Sequence, residues 1–67
     1  MKTAIERAVE AVGGREALAE KLGVTPQAVW LWIQTAKAGG LIPAERIVDI
    51  ERETGVSRQE LRPDLYQ

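Results

Sequence analysis

The chain has no cysteine and no histidine. Without cysteine there is neither a disulfide framework nor a thiolate metal site, so a small domain must be held by helix packing alone. Without histidine the commonest general base is missing, and no glycine-rich loop between a strand and a helix is available to cradle a phosphate. Carboxylate pairs such as Glu6 and Glu10 occur, but on a face of a helix that the pattern leaves in water. No enzymatic chemistry, metal or cofactor is expected. Apolar residues nowhere run long enough for a signal peptide or a membrane span, and the expectation is a cytoplasmic protein that engages no membrane.

A surplus of positive charge is also missing. Nine Lys and Arg face ten Asp and Glu, a formal net charge of −1, which argues against a uniformly basic surface. The distribution is more telling than the sum. After Glu20 no carboxylate occurs until Glu45, so the window from Lys21 to Ala44 carries Lys21 and Lys37 and nothing negative. A stretch of that kind is either a functional face or the buried part of a small protein.

The 67 residues, 45% of them hydrophobic, suffice for one domain over residues 1–67 with one modest core. Ile5, Ala8, Val9 and Val12 recur at helical spacing, and the reading is a first helix from about Thr3 to Val12, ended by Gly13. A second helix runs from Arg15 to Leu22 with Leu18, Ala19 and Leu22 inward. Gly23 then supplies the left-handed conformation that permits a sharp turn. Thr25 can cap a third helix with Pro26 at its first position, and that helix continues to Thr35 or Lys37 before Gly39 and Gly40 break it. Val29 and Trp32 share its inner face with Ile33 beside them. Pro43 can open a fourth helix with Ile47, Ile50 and Val48 as its inward candidates, ended by Gly55. Ser57 and Glu60 form a capping-box pattern before a single turn stopped by Pro63. No strand pattern or repeat interrupts the series, so the fold class is all-α with four to five helices.

Within that series, Arg15 to Gln34 has the layout of a helix-turn-helix: a short helix, a glycine turn and a capped second helix. Ala19 is the small residue where the two helices approach, four positions before Gly23. The chain also resembles the Cro/CI-type regulators, in particular the short YdaS-like proteins described as antitoxins. The resemblance rests on Gly13-Gly14, on Leu18-Ala19, on Leu22 to Val29 with Trp32, on Ile42-Pro43-Ala44-Glu45-Arg46, on Ile50 to Arg58, and on Leu61-Arg62-Pro63-Asp64. It departs at Trp30 and Leu31, where relatives carry small polar residues, and in a longer loop before Pro43. The resemblance implies a lambda-repressor-like helix-turn-helix bundle that binds operator DNA, usually as a dimer, and represses transcription in a phage, prophage or toxin–antitoxin setting.

If the third helix enters the major groove, Thr25, Gln27, Ala28, Trp30, Leu31 and Gln34 are placed to meet bases. Gln27 matches the N6/N7 edge of adenine, or is an ordinary solvated glutamine. Thr25 can meet a phosphate or a thymine methyl, although a helix cap explains it fully. Trp32 belongs to the core by phase, whereas Trp30 and Leu31 form an apolar patch on another side. That patch can pack on thymine methyls or sugars, can form a protein interface, or can lie under the loop Ala38-Gly39-Gly40-Leu41; the last is the working expectation. By analogy with the family, Arg15, Lys37 and Arg46 reach phosphates, which supply affinity and its salt dependence; each also reads as a solvated charge. The tail from Leu61 to Tyr66 either folds back on the core or meets a second subunit. Expected partners are thus an operator duplex, a second copy on DNA, and a toxin. A protein-binding module built on Trp30 and Leu31 is the alternative function.

Overall fold

The computed structural model describes residues 1–66. Five helices follow one another: α1 (Ala4–Ala11), α2 (Arg15–Leu22), α3 (Pro26–Lys37), α4 (Ala44–Thr54) and α5 (Arg58–Leu61). They pack into a body of 28 × 23 × 22 Å. No helix is long and apolar enough to cross a membrane, and no strand occurs among the described residues.

Four of the five helices begin where the sequence offers the backbone a side-chain acceptor or a fixed φ, whereas α2 follows Gly14 with no side-chain cap. At α1, Thr3 lies just outside the helix. Its hydroxyl accepts the Glu6 N–H at 3.3 Å, while the Glu6 carboxylate accepts the Thr3 N–H at 3.0 Å. This reciprocal cap satisfies two N–H groups that have no partner inside the helix. The Thr-x-x-Glu spacing of residues 3 to 6 is the sequence signature of this cap. At α5, Ser57 caps the Glu60 N–H at 3.2 Å as expected. Only half of the expected box forms, because Glu60 turns its carboxylate to Arg7 of α1 at 3.0 Å and to the Ser57 hydroxyl at 3.2 Å. Pro43 is the residue before α4 rather than its first member.

Helix ends are closed by backbone. After α1 the Gly14 N–H reaches back to the Val9 carbonyl at 2.9 Å, and after α2 the Val24 N–H reaches Ala19 at 3.0 Å. After α3 the Gly40 N–H reaches Thr35 at 2.8 Å. All three are the six-to-one closure that a residue in left-handed conformation allows. Gly40 has a second constraint, since a Cβ there would stand 2.8 Å from Thr35 Cγ2 and 3.1 Å from its carbonyl oxygen.

The core unites all five helices: Ile5, Ala8 and Val9 of α1, Leu18 and Ala19 of α2, Val29 and Trp32 of α3, Ile47 and Ile50 of α4, and Leu61 of α5. Ile42, from the loop before α4, joins them with 3% exposure, a core position that the helical periodicities do not include. Val48 does not join them. It is 42% exposed, because a step of 100° from Ile47 carries it off the stripe that Ile47 and Ile50 share.

The tail folds back. Tyr66 packs on the core, and the Arg62 guanidinium donates to the Ile42 carbonyl at 2.6 Å while gripping Asp64 at 2.7 and 2.8 Å. That one side chain pins the tail to the segment between α3 and α4.

Candidate nucleic-acid interface

Gly23, at φ +70°, closes α2, and the chain then extends through Val24 to Thr25, whose hydroxyl accepts the Ala28 N–H at 3.2 Å. Pro26 follows at the first helical position, where its missing N–H leaves no helical bond unmade. Gly23, Thr25 and Pro26 therefore fix the direction in which α3 leaves the turn.

Along α3 the side chains divide into two opposed stripes. Ala28, Val29, Trp32, Ile33 and Ala36 are buried or partly buried against the core. Gln27, Trp30, Leu31 and Gln34 are exposed, and their spacing of three, four and seven residues places all four within an arc of about 100°. Ala28 thus lies toward the core side and at the margin of the outward stripe, whereas the other expected base contacts on the helix stand together. Thr25 is exposed as well, with its hydroxyl engaged in the cap.

The loop Ala38 to Leu41 does not cover the apolar pair, contrary to the working expectation. Trp30 is 39% and Leu31 51% exposed, and Leu41 itself is 57% exposed. The path of the loop is set by the backbone closure of Gly40 on Thr35 and by the descent of Ile42 into the core, neither of which involves Trp30.

The charges are partitioned. Lys2 pairs with Glu10, Arg7 with Glu60, Arg52 with Asp49 and Glu53, Arg58 with Glu51, and Arg62 with Asp64. Lys37, in the last turn of α3, stands 3.9 Å from Glu6 of α1, a long contact between partly exposed groups that is easily exchanged. The Glu6 carboxyl is held below its ordinary range first by the Thr3 hydrogen bonds and only then by Lys37 and Lys2. Among the described residues Arg15, Lys21 and Arg46 have no carboxylate at ion-pair distance. Arg15 is the first residue of α2 and Lys21 lies in its last turn, both exposed. Arg46 lies in the first turn of α4 and is half-buried. Two of the three expected phosphate contacts, Arg15 and Arg46, therefore keep their charge uncommitted, and Lys37 is loosely held. Lys21 was not singled out as a phosphate contact, although it opens the carboxylate-free window in the sequence.

Comparison with known proteins adds an independent line. The sequence model of the family described as bacterial toxin YdaS matches residues 5–67. The Gene 30 protein of Enterobacteria phage phi80 is 42% identical over 65 residues, covering 96% of this chain and 85% of that protein. YdaS of Escherichia coli K12, named as a candidate transcriptional regulator, is 44% identical over 62 residues. That match covers 90% of this chain but 60% of the relative, so the chain spans less than two thirds of it. Among solved structures, a Cro protein from a candidate prophage element, Xfaso 1, of Xylella fastidiosa strain Ann-1 superposes with a TM-score of 0.83. It is 43% identical, with 97% of both chains covered. The family description is that of a toxin, whereas the resemblance read from the sequence carried the antitoxin label; both designate the same YdaS-like, Cro-like group. With a match running from the core residue Ile5 through the tail, and relatives above 40% identity, the chain belongs to the YdaS family.

Proposed function

We propose that the chain is a sequence-specific DNA-binding transcription regulator, a Cro-like repressor of phage, prophage or toxin–antitoxin origin that reads the major groove with α3. The observation that carries this reading is the outward stripe of α3: Gln27, Trp30, Leu31 and Gln34 stand together, directly opposite the buried stripe, on a helix that has no carboxylate. A DNA groove is lined by negative charge, and a recognition helix free of acids enters it without repulsion. Arg15, Arg46 and Lys37 serve phosphates, and Thr25 both caps α3 and approaches the backbone or a base. Residues 1–67 act as one domain. One such domain offers few base contacts, so two copies on a near-palindromic site provide useful specificity. The reading is of a cytoplasmic, nucleoid-associated binding protein that performs no catalysis and requires neither cofactor nor metal.

A second reading is favoured by one observation, the exposure of Trp30 and Leu31 on α3. There the pair anchors a protein, such as the other member of a toxin–antitoxin couple, since buried aromatic anchors dominate many protein interfaces. Fluorescence-anisotropy titration of wild type, Gln27→Ala and Arg46→Ala against duplex fragments from the region upstream of the gene, at two salt concentrations, separates the two. Selective, salt-sensitive binding weakened in both variants supports the regulator. Absence of selective binding at low salt removes it in favour of the protein-binding module.

A further inference from the structure

We infer that Leu31, with Trp30 beside it, reads thymine C5-methyl groups, so that the half-site beneath α3 is built from A·T pairs. The inference rests on the DNA-binding reading above and specifies its ligand. Between Gln27 and Gln34 the outward stripe contains two amides and two apolar side chains and no cation. Arginine and lysine are the commonest readers of guanine O6 and N7 in the major groove. The one cation of α3, Lys37, lies beyond Gln34 in the last turn, 3.9 Å from Glu6 of α1 and outside the span between the two glutamines. Glutamine, by contrast, matches the N6/N7 edge of adenine, and the apolar feature that the major groove offers is the thymine methyl.

Spacing agrees with this chemistry. Gln27 and Gln34 are separated by seven residues, about 10 Å along the axis at the helical rise, which spans about three base-pair steps of a duplex. Leu31 lies between them, one turn beyond Gln27. An amide, an apolar group and a second amide in that order face a row in which adenine edges and thymine methyls alternate. The apolar pair and the two glutamines share one arc of the helix, so the surface that covers Trp30 and Leu31 must also present partners to both amides. A·T pairs supply the methyl and the amide partners side by side. Arg15 and Lys21 of α2 and Arg46 of α4, without carboxylate partners among the described residues, leave the domain with uncommitted positive charge that suits a polyanion more than a neutral apolar partner.

The test begins by selecting bound duplexes from a random library with the wild-type protein. In the selected duplex each thymine is replaced singly by deoxyuridine, which deletes the methyl group and leaves every hydrogen-bonding edge intact. At one or two positions per half-site the replacement lowers wild-type affinity about fourfold, the equivalent of one buried methyl. Leu31→Ala then binds the thymine and uracil duplexes alike at that position. Leu31 is half exposed, so circular dichroism should show unchanged melting in the variant, and the wild-type comparison needs no variant at all. A selected site with G·C pairs at the contacted positions, or equal affinity for thymine and uracil throughout, overturns the inference while leaving DNA binding intact; equal affinity would assign the patch to a protein. Failure of any sequence to enrich overturns both readings together.

Discussion

Glu51 holds Arg58 by backbone and side chain at once: its carboxylate accepts the Arg58 amide N–H at 2.8 Å and the guanidinium at 2.7 and 2.8 Å. Arg58 is the first residue of α5, so the carboxylate occupies the positive end of a one-turn helix that could not persist alone. The same guanidinium lies 5.5 Å from the centroid of the Tyr66 ring, within the range of a cation–π contact. Glu51→Gln removes the charge and keeps the shape. It is expected to lower the melting temperature in thermal circular dichroism, whereas Glu20→Gln, at a carboxylate near the C-terminal end of α2 with no ion-pair partner among the described residues, does not lower it.

Acid should unfold the domain through the same groups. The carboxyls of Glu51, Glu60 and Asp64 are held low chiefly by side-chain hydrogen bonds from Arg58, Arg7 and Arg62, and that of Glu6 by the Thr3 backbone. In the unfolded chain these groups take up protons near their ordinary values of 4.5 for Glu and 3.8 for Asp. The folded form binds them at lower pH, so the stabilisation is present above the ordinary values and is lost as pH falls through the folded ones. Melting temperature is therefore flat between about pH 7 and pH 5 and falls below about pH 4.5. A midpoint that rose on acidification would contradict the ion-pair assignment.

Thr25 and Gln27 should separate stability from recognition. Thr25→Ala removes the hydroxyl that accepts the Ala28 N–H and should cost about 1 kcal/mol by chemical denaturation. Gln27→Ala, on the exposed stripe, leaves the denaturation midpoint unchanged and reduces discrimination at one base pair by roughly 1–3 kcal/mol. Thr25→Ser keeps the cap, and recovery of stability in that variant would isolate the capping role.

Salt titrations count phosphate contacts. Arg15→Ala and Arg46→Ala should each flatten the slope of log affinity against log salt by about 0.9. Arg52→Ala should not, because its guanidinium is engaged by Asp49 and Glu53. Equal slopes for all three variants would remove Arg15 and Arg46 from the phosphate set.

Adjacent residues in the loop before α4 should behave oppositely. Ile42→Ala deletes a side chain that is 3% exposed and should destabilise the domain by about 2–5 kcal/mol. Leu41→Ala, at 57% exposure, should change stability by no more than about 0.5 kcal/mol.

That contrast marks the boundary between what sequence periodicity reveals and what it does not. Gly23, Thr25 and Pro26 punctuate the turn by local chemistry, and the buried stripe follows from the phase of Val29 and Trp32, so the helix-turn-helix was legible before any coordinates. The separation of Trp30 from Trp32 was legible for the same reason. Ile42 was not, since no helical period surrounds it and the contact that Arg62 makes with its carbonyl spans twenty residues of sequence. The fate of Glu60 was equally hidden: local spacing points to a capping box, and a distant arginine on α1 takes the carboxylate instead. Several charged residues in the segments carrying the family resemblance serve as scaffold. Glu51 is committed to Arg58, and Arg62 to Asp64 and the loop carbonyl, whereas Arg46, expected at a phosphate, has no carboxylate partner among the described residues.

The opposed stripes of α3 also bear on how such a domain could change its target. Gln27, Trp30, Leu31 and Gln34 are exposed, and their side chains make no hydrogen bond among the described residues, while every α3 side chain that packs on the core lies on the other side. Exchanging the four together is a change of address label that leaves the folded package closed. If α3 reads DNA as proposed, a lineage of these domains can diverge in target sequence through surface substitutions alone, and a stripe transplanted from one member to another should carry its preference with it.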